Sequence, residues 1–391
     1  MKSRFNVANL YRAALKDRKT DKFFADLQEG IDEGHVTGGD FSVQELFEAT
    51  VTDESGDPVG HRFVSNWRHN PDNRTSLLES GVMSTAFTNI MGQLLVNEVL
   101  QAADGPEFIG DQLCTTVTTR LPRGEKIPGM SQIGNEAEAI GEGKPYPLVG
   151  FGEDWIETPE TIKRGMICPI TREAVAQDLT GLILERARDV AKWIRYNKEI
   201  RILQTALGIT SSYNRRGRGV VATYDDNTGN HDWDNLQASN TLVDWTDIEN
   251  AELLFDAMVD PNTGTPIMVR PNTIVVPTAL KNTAMRIINA TEIRFNDAAS
   301  NTTQTIAANP VAGAYKIVTS QLVKTVTSSP STWFLGDFKG AFRYMEVSPI
   351  TTAQAPVNNE MEFSNDIVAR FKVSEWGVPA VFEPRKVVKN T

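Results

Sequence analysis

Apolar positions that recur every three or four residues predict a long helix near the middle of the chain. Within residues 180–207 this stripe is formed by Ile183, Ala187, Val190, Ile194, Leu203 and Leu207. Thr180 is placed to cap the first turn, and Gly208 to end the helix. At 1.5 Å per residue the helix would be roughly 42 Å long, which is enough to cross a whole domain.

The pattern of residues 112–168 excludes a helix there, because prolines and glycines are spread along it. Short β-type runs flank the region: Cys114–Thr119 on entry, and Trp155–Glu157 and Thr161–Ile167 on exit. We therefore predict a long two-stranded excursion with a flexible tip. So long an extension with so little core is uncommon in a compact monomer, and we expect a neighbouring molecule to cover it.

The last third of the chain alternates predicted strands and helices. A helix is predicted over 247–259, with Thr246 and Glu249 as its capping box, and another over 278–288. Residues 290–310 are rich in Asn, Thr and Ala and predict an exposed loop. Strands are predicted at 273–277, 316–318, 322–326, 332–337, 342–347, 366–378, 380–382 and 386–388.

The N-terminal part of the chain is less regular. Residues 1–75 are charged and weakly periodic, and we expect an arm or small appended domain that gains stability by packing on something else. Residues 76–111 have helical periodicity. With 391 residues, the chain is long enough for two or three structural units.

Composition narrows the class of protein. The chain is 40% hydrophobic and 23% charged, as in folded proteins, and its net charge is −11. That charge argues against a protein whose main task is gripping nucleic acid. The sequence has no 18-residue apolar run, so we expect no membrane partner. Cys114 and Cys168 are expected to be free thiols in a reducing cytoplasm.

No motif for catalysis or metal binding stands out. There are four histidines, and the sequence lacks HExxH, CxxC, GxSxG and GxxxxGK[ST] patterns. We therefore predict no enzyme, no cofactor and no metal site. Arg215, Arg216 and Arg218 form a basic cluster within a polar loop, 211–240. No aromatic residue interleaves the arginines, which favours a solvated loop over contact with phosphate.

In this order, the elements resemble those of the HK97-type major capsid proteins of tailed bacteriophages, over roughly residues 76–391. The return from the excursion, 157–178, resembles the passage from the family's E-loop into its P-domain. The long helix resembles its spine helix, and Asn272–Leu280 resembles the entry to its A-domain. Phe334–Arg343 and Phe371–Val388 resemble its "G-D-F/W" strand and its closing P-domain strand.

The resemblance implies an α+β, HK97-like fold in six segments. They are an N-terminal extension (1–75), an N-arm with the first P-domain helix (76–115), an E-loop (116–168), a P-domain with the spine helix (169–261), an α/β A-domain (262–345), and closing P-domain strands with a tail (346–391).

The resemblance also implies a function. The chain would assemble into pentamers and hexamers of an icosahedral head that encloses double-stranded DNA. Its partners would be copies of itself, decoration, portal and scaffolding proteins, and DNA held by weak non-specific contact. It would be assembled in the cytoplasm of a bacterial host. The expected E-loop interface residues are Glu142, Lys144, Pro145, Tyr146, Phe151 and Trp155, and the candidate DNA-facing residues are Arg215, Arg216 and Arg218.

Three other interpretations stay open. An encapsulin-like compartment shell would have the same fold and enclose a cargo protein. A soluble α/β enzyme would bring titratable groups together in a cleft. A phage tail or portal-associated protein would form rings or tubes and no closed shell.

Overall fold

The computed structural model describes residues 108–128, 155–171, 182–226, 233–260, 266–297, 300–355 and 367–391, with scattered single positions elsewhere. In this part of the chain the helices are α1 (Gly110–Leu113), α2 (Leu182–Ala206), α3 (Trp245–Asp256), α4 (Lys281–Asn289), α5 (Gln321–Thr327) and α6 (Phe338–Ala341). Short 3-10 turns cover Thr278–Leu280 and Pro384–Lys386.

The strands are distributed along the same ranges. They are β1 (Thr115–Thr118), β2 (Lys126–Pro128), β3 (Trp155–Glu157), β4 (Ile162–Thr171), β5 (Tyr213–Asn214), β6 (Val220–Val221), β7 (Leu236–Gln237), β8 (Thr273–Pro277), β9 (Glu292–Asp297), β10 (Ser300–Ala308), β11 (Lys316–Ser320), β12 (Trp333–Gly336), β13 (Phe342–Gln354), β14 (Ile367–Val381) and β15 (Val387–Asn390). This mixture of helices and strands confirms the predicted α+β class.

The chain forms two compact units. One comprises Met1–Gly105, Lys163–Tyr196 and Pro349–Glu375, and the other comprises Pro106–Ile162, Asn197–Ser348 and Trp376–Thr391. A four-stranded sheet has the order β1-β13-β14-β4, with β1 parallel to β13. The strand that precedes the predicted excursion, β1, thus pairs with β13, and β2 pairs with β3, whose Ile156 also forms a bridge to Arg215.

A five-stranded sheet of order β11-β8-β12-β15-β7 is the centre of the larger unit. Side chains alternate between the two faces of a strand, and both faces of this sheet are covered. Phe334 of β12 joins a core with the last turns of α2, whereas its neighbours Trp333 and Leu335 join a second core with α3 and α4. Strands β7 and β15 come from outside residues 262–345.

The smaller unit has a core of its own. Positions near the N-terminus, including Leu27, Phe47 and Met91, are buried together with residues of β4, β14 and the first part of α2. The apolar stripe predicted for α2 is buried in these cores, with Val190 partly buried. Among the described positions before residue 50, apolar side chains such as Val43 and Leu46 are buried, whereas Lys16 and Glu29 are exposed.

Three local predictions were wrong. Residues 322–326 lie in helix α5, because the Ser320 hydroxyl accepts a hydrogen bond from the Leu322 N–H and caps a helix over this β-branched run. The predicted loop 290–310 contains the antiparallel pair β9 and β10. The capping box of α3 is formed by Asp244 and Asp247, so the helix begins two residues earlier than predicted.

Candidate functional site

The stem of the excursion is the short ribbon of β2 and β3. Lys126 lies opposite Glu157, and Pro128 lies opposite Trp155. The Lys126 ammonium lies 5.7 Å from the centre of the Trp155 ring, within the range of a cation–π contact. Of the expected interface residues, Trp155 is half-buried in this stem and Glu142 is exposed. Lys144, Pro145, Tyr146 and Phe151 lie outside the described residues.

The basic cluster is part of an ordered hairpin that contacts this stem. Strands β5 and β6 pair, and the Arg216 N–H donates to the Trp155 carbonyl at 3.0 Å. The Asn214 amide donates to the Glu157 carboxylate at 3.2 Å. The prediction of a solvated loop was wrong for Arg215 and Arg216, which are half-buried, whereas Arg218 is exposed. We call residues 213–221 the basic hairpin.

A second basic segment, residues 119–126, precedes the stem, and we call it the stem loop. Arg120, Arg123 and Lys126 are exposed on it, and Leu121 is 57% exposed. The backbone of the loop is fixed by hydrogen bonds from residues more than thirty positions later. Thr161 donates to the Pro122 carbonyl through its N–H at 3.1 Å and its hydroxyl at 2.9 Å.

Two buried threonines complete the stem loop. The Thr158 N–H donates to the Glu125 carbonyl at 3.0 Å, and the Thr158 hydroxyl accepts from the Glu125 N–H at 2.9 Å. The Thr119 hydroxyl donates to the Glu125 carboxylate. A Cβ added at Gly124 would lie 2.2 Å from the Thr158 carbonyl oxygen, so the close approach requires glycine. The loop thus presents three cations on a fixed backbone.

A buried glutamate binds the backbone of the segment that leads into β1. Glu199 of α2 is 1% exposed, and its carboxylate accepts hydrogen bonds from the N–H groups of Ile109 and Gly110 at 2.8–2.9 Å. The adjacent Lys198 forms a 3.0 Å ion pair with Glu346 of β13. Glu199 thus connects α2 to the residues before β1, and Lys198 connects α2 to β13.

Cys114 and Cys168 are free thiols. Burial, followed by the nearby Glu199 and Asp111 carboxylates, raises the pKa of the Cys114 thiol far above its ordinary value. Burial also raises the pKa of Cys168, against an opposing effect of Arg186. Both groups are therefore held in the protonated form, which is the unreactive form of a thiol.

The described residues were compared with the requirements of a metal site and of a membrane-spanning helix. Within the described ranges, no cluster of three or more His, Cys, Asp or Glu side chains could hold a metal ion. Among the same residues, no helix combines the length and the apolar character needed to span a bilayer. What the geometry does provide is a surface of fixed charges around the stem.

The sequence interpretation missed the stem loop. Its signal was three cations, Arg120, Arg123 and Lys126, within seven residues of an acidic chain. The interpretation also missed the role of Glu199, which the sequence places on a helix face without indicating its partners in the 108–110 segment.

Comparisons with solved structures give distant likenesses. To the capsid of the cyanophage P-SCSP1u the identity is 12%, over 72% of this chain and 87% of that one, with a TM-score of 0.45. To the Gordonia phage Cozz structure the identity is 15%, over 73% of this chain and 86% of that one, with a TM-score of 0.44. To the holo-SrpI encapsulin complex of Synechococcus elongatus PCC 7942 the identity is 10%, over 73% of this chain and 87% of that one, with a TM-score of 0.42. A search of curated proteins finds no match.

The comparison with protein families is more specific. The phage capsid protein family matches residues 156–390, which is well over half of the chain. The match begins within β3, runs through α2 and the five-stranded sheet, and ends with β15. The resemblance to an HK97-type capsid protein, predicted from the order of elements, is thereby confirmed. The chain belongs to the phage capsid protein family and is a structural subunit of the virion capsid.

Proposed function

We propose that the subunit assembles into pentamers and hexamers that close an icosahedral head around double-stranded DNA. The observation that carries this proposal is the family match over residues 156–390. The stem supports it, because neither of its two strands has a fully buried side chain, which leaves surface for a neighbouring subunit to cover.

In this proposal the six segments named above are the arm, E-loop, P-domain and A-domain of the shell subunit. The excursion lies on an adjacent subunit through Glu142, Lys144, Pro145, Tyr146, Phe151 and Trp155. Assembly takes place in the bacterial cytoplasm, with scaffolding, portal and decoration proteins as further partners. The acidic balance of the chain, −11, lets packaged DNA move along the inner wall without adhering.

The proposal includes weak, non-specific DNA contact by Arg215, Arg216 and Arg218. Arg215 and Arg216 are half-buried in the basic hairpin, which leaves Arg218 as the exposed cation. We expect Arg218→Gln to leave shells intact and to lower the retention of DNA only slightly. A loss of shells would instead place Arg218 in a subunit contact.

The first test is negative-stain electron microscopy of the purified protein beside sedimentation velocity. Closed icosahedral particles in the megadalton range are expected, with nuclease-resistant DNA after packaging. A protein cargo in place of DNA would indicate a compartment shell. Tubes or open rings would overturn the proposal.

A second test addresses the excursion. Deleting residues 140–152 should leave the subunit folded, because the glycines and prolines of this segment predict neither a helix nor a core of its own. Shells should be lost from the deleted chain. Normal shells would refute the interface role of the excursion.

A further inference from the structure

We propose that the stem loop of one subunit docks on the exposed face of helix α3 of a second copy, through Arg120, Leu121 and Arg123 on one side and Glu249, Leu253 and Asp256 on the other. This inference rests on the proposed shell function and names one contact within that shell. It differs from the contacts expected of the excursion's tip.

The stem loop has the properties of a preformed binding surface. The five hydrogen bonds described above, which involve Thr119, Thr158 and Thr161, hold the loop in place before a partner binds. Its only carboxylate, Glu125, accepts a hydrogen bond from the Thr119 hydroxyl, and Arg120 and Arg123 are exposed beside it. The third cation, Lys126, lies over the Trp155 ring. A surface that is already ordered loses little conformational entropy on binding.

The exposed face of α3 has the opposite character. Asp244, the N-cap residue, and four further acids lie within 244–256, which contains no lysine or arginine: Asp247, Glu249, Glu252 and Asp256. Asp244 and Asp247 are used in the capping box, and Glu252 accepts a hydrogen bond from the Tyr315 hydroxyl. Glu249 and Asp256 remain exposed.

These acids lie on a helix that has no basic residue of its own to offset them. Asp256 is the last residue of the helix, where the helix dipole favours a cation and where the helix has no basic residue. Burial, and then the charges of Glu249 and Asp256, raise the pKa of the Glu252 carboxyl. A cation delivered to this face would relieve the repulsion.

Apolar contacts complement the charges. Leu253 is 58% exposed and lies one helical turn from both Glu249 and Asp256. Leu121, 57% exposed, lies between the cations of the stem loop. Each leucine has a charged residue on either side of it, two arginines in the stem loop and two acids on α3. Their contact would give an apolar centre with a charged rim, as in stable protein interfaces.

The geometry of such a contact suits a closed assembly. The stem loop and α3 are different patches of one chain, so their pairing is heterologous. Heterologous contacts whose rotation closes form rings, which is the arrangement that pentamers and hexamers need. Arginine also binds carboxylates through two parallel hydrogen bonds, which fixes orientation as well as affinity.

The experiment is a charge exchange. Arg120→Glu/Arg123→Glu reverses the stem loop, Glu249→Lys/Asp256→Lys reverses α3, and a third chain carries all four changes and has the net charge of the native protein. Each reversal alone should lower the fraction of protein in shells at least tenfold, measured by sedimentation velocity. The fourfold variant should restore shells to within about twofold of the native chain.

Two further measurements keep the test decisive. Thermal melting of every variant checks folding, because all four side chains are exposed and should leave the melting temperature unchanged. If a reversed chain melts early, the glutamine substitutions at the same positions replace it, with a smaller loss of shells expected. Mixing the two singly reversed chains should restore association between them in sedimentation velocity, as hexamers or smaller even-numbered oligomers, because each then meets an opposite charge on the other chain. Closed shells are not expected from the mixture, since a five-membered ring cannot alternate the two chains. No association in the mixture, together with shells from the fourfold variant, would overturn a contact between copies.

A control separates this contact from net charge. Lys316→Glu/Lys324→Glu also exchanges two exposed cations for acids and should leave shells intact. If the control loses shells and the fourfold variant does not recover them, the inference is overturned. It is also overturned if the stem-loop reversal assembles normally and loses only DNA retention, which would make the stem loop a DNA contact. Absence of shells from the native protein would instead refute the proposed function.

Discussion

The five-stranded sheet and the stem of the excursion belong to the same unit but are stabilised in different ways. Strands β8, β12 and β15 are covered on both faces, and Phe334, Val275 and Val388 are fully buried. The stem has half-buried side chains, and its backbone is fixed by threonine hydroxyls and carbonyls. The sheet is stabilised by buried apolar area, whereas the conformation of the stem is fixed by hydrogen bonds.

This difference separates two tasks of a shell subunit. Hydrophobic burial contributes about 25 cal/mol per Å2, so the sheet gains its stability from the cores on its two faces. A hydrogen bond exchanged for one to water contributes only about 1 kcal/mol, so the stem adds little stability. The stem instead holds charged side chains in fixed positions, which is what a partner surface requires.

Phe334→Asp should have the largest effect, because it places an unpaired carboxylate between two buried layers of the sheet. We expect a loss of about 4 kcal/mol or more in the free energy of unfolding. Urea denaturation followed by circular dichroism measures it. Lys316→Asp, at an exposed position on β11 of the same sheet, should change stability by less than about 0.5 kcal/mol. Equal losses in both variants would contradict the role given to the sheet.

Gly124→Ala tests the stem in the same way. The new Cβ would meet the Thr158 carbonyl oxygen at 2.2 Å, so the stem loop must move away from its hydrogen-bond partners. We expect about 1–3 kcal/mol of destabilisation, a folded subunit, and a strong loss of shells. The control is Gly313→Ala, which has no atom within 4 Å of the new Cβ and a φ of +66°, and so should cost only about 1 kcal/mol of backbone strain. Normal shells from Gly124→Ala would show that assembly does not depend on the stem loop.

The same contrast explains which features the sequence predicted. The spine helix and strand β8 were predicted because an apolar stripe and a β-branched run are local signals. The stem loop was missed because its hydrogen bonds join residues 33 to 39 positions apart, such as Glu125 with Thr158 and Pro122 with Thr161. No local pattern records such pairings.

The remaining errors have related causes. The run 322–326 has strand propensity, but a single cap at Ser320 decides for helix α5. The basic hairpin was taken for a solvated loop because its partner, the Trp155 carbonyl, is a backbone atom and carries no sequence signal. Propensity is a weak guide wherever one distant hydrogen bond decides the structure.

Glu199→Gln should have a smaller effect, at the point where the chain enters β1. The amide retains one acceptor oxygen and turns its NH2 group toward an N–H of the 109–110 segment, so one charged hydrogen bond is lost. We expect about 1–3 kcal/mol of destabilisation, measured by thermal melting. Glu185→Gln, an exposed acid of the same helix, should be neutral. A neutral result for Glu199→Gln would mean that the entry segment is held by packing alone.

The smallest effect concerns Cys114, which precedes β1 at the core end of the excursion. Its pKa is raised in the folded subunit, whereas an unfolded thiol titrates at about 8.5. The unfolded state therefore releases a proton above that pH and the folded state does not, so the contribution of this thiol to stability is present below about pH 8.5 and decreases as pH rises further. We expect the melting temperature of the native chain to fall between pH 8 and 10, and that of Cys114→Ala to fall less.

Alkylation by iodoacetamide tests the burial of the same thiol, which shares a core with Phe334 of the five-stranded sheet. Iodoacetamide should modify Cys114 only when this core opens, so the thiol should react in Phe334→Asp and should stay protected in Gly124→Ala. Rapid alkylation of Cys114 in the native subunit would show that the core opens where β1 begins, and would remove the contrast between sheet and stem.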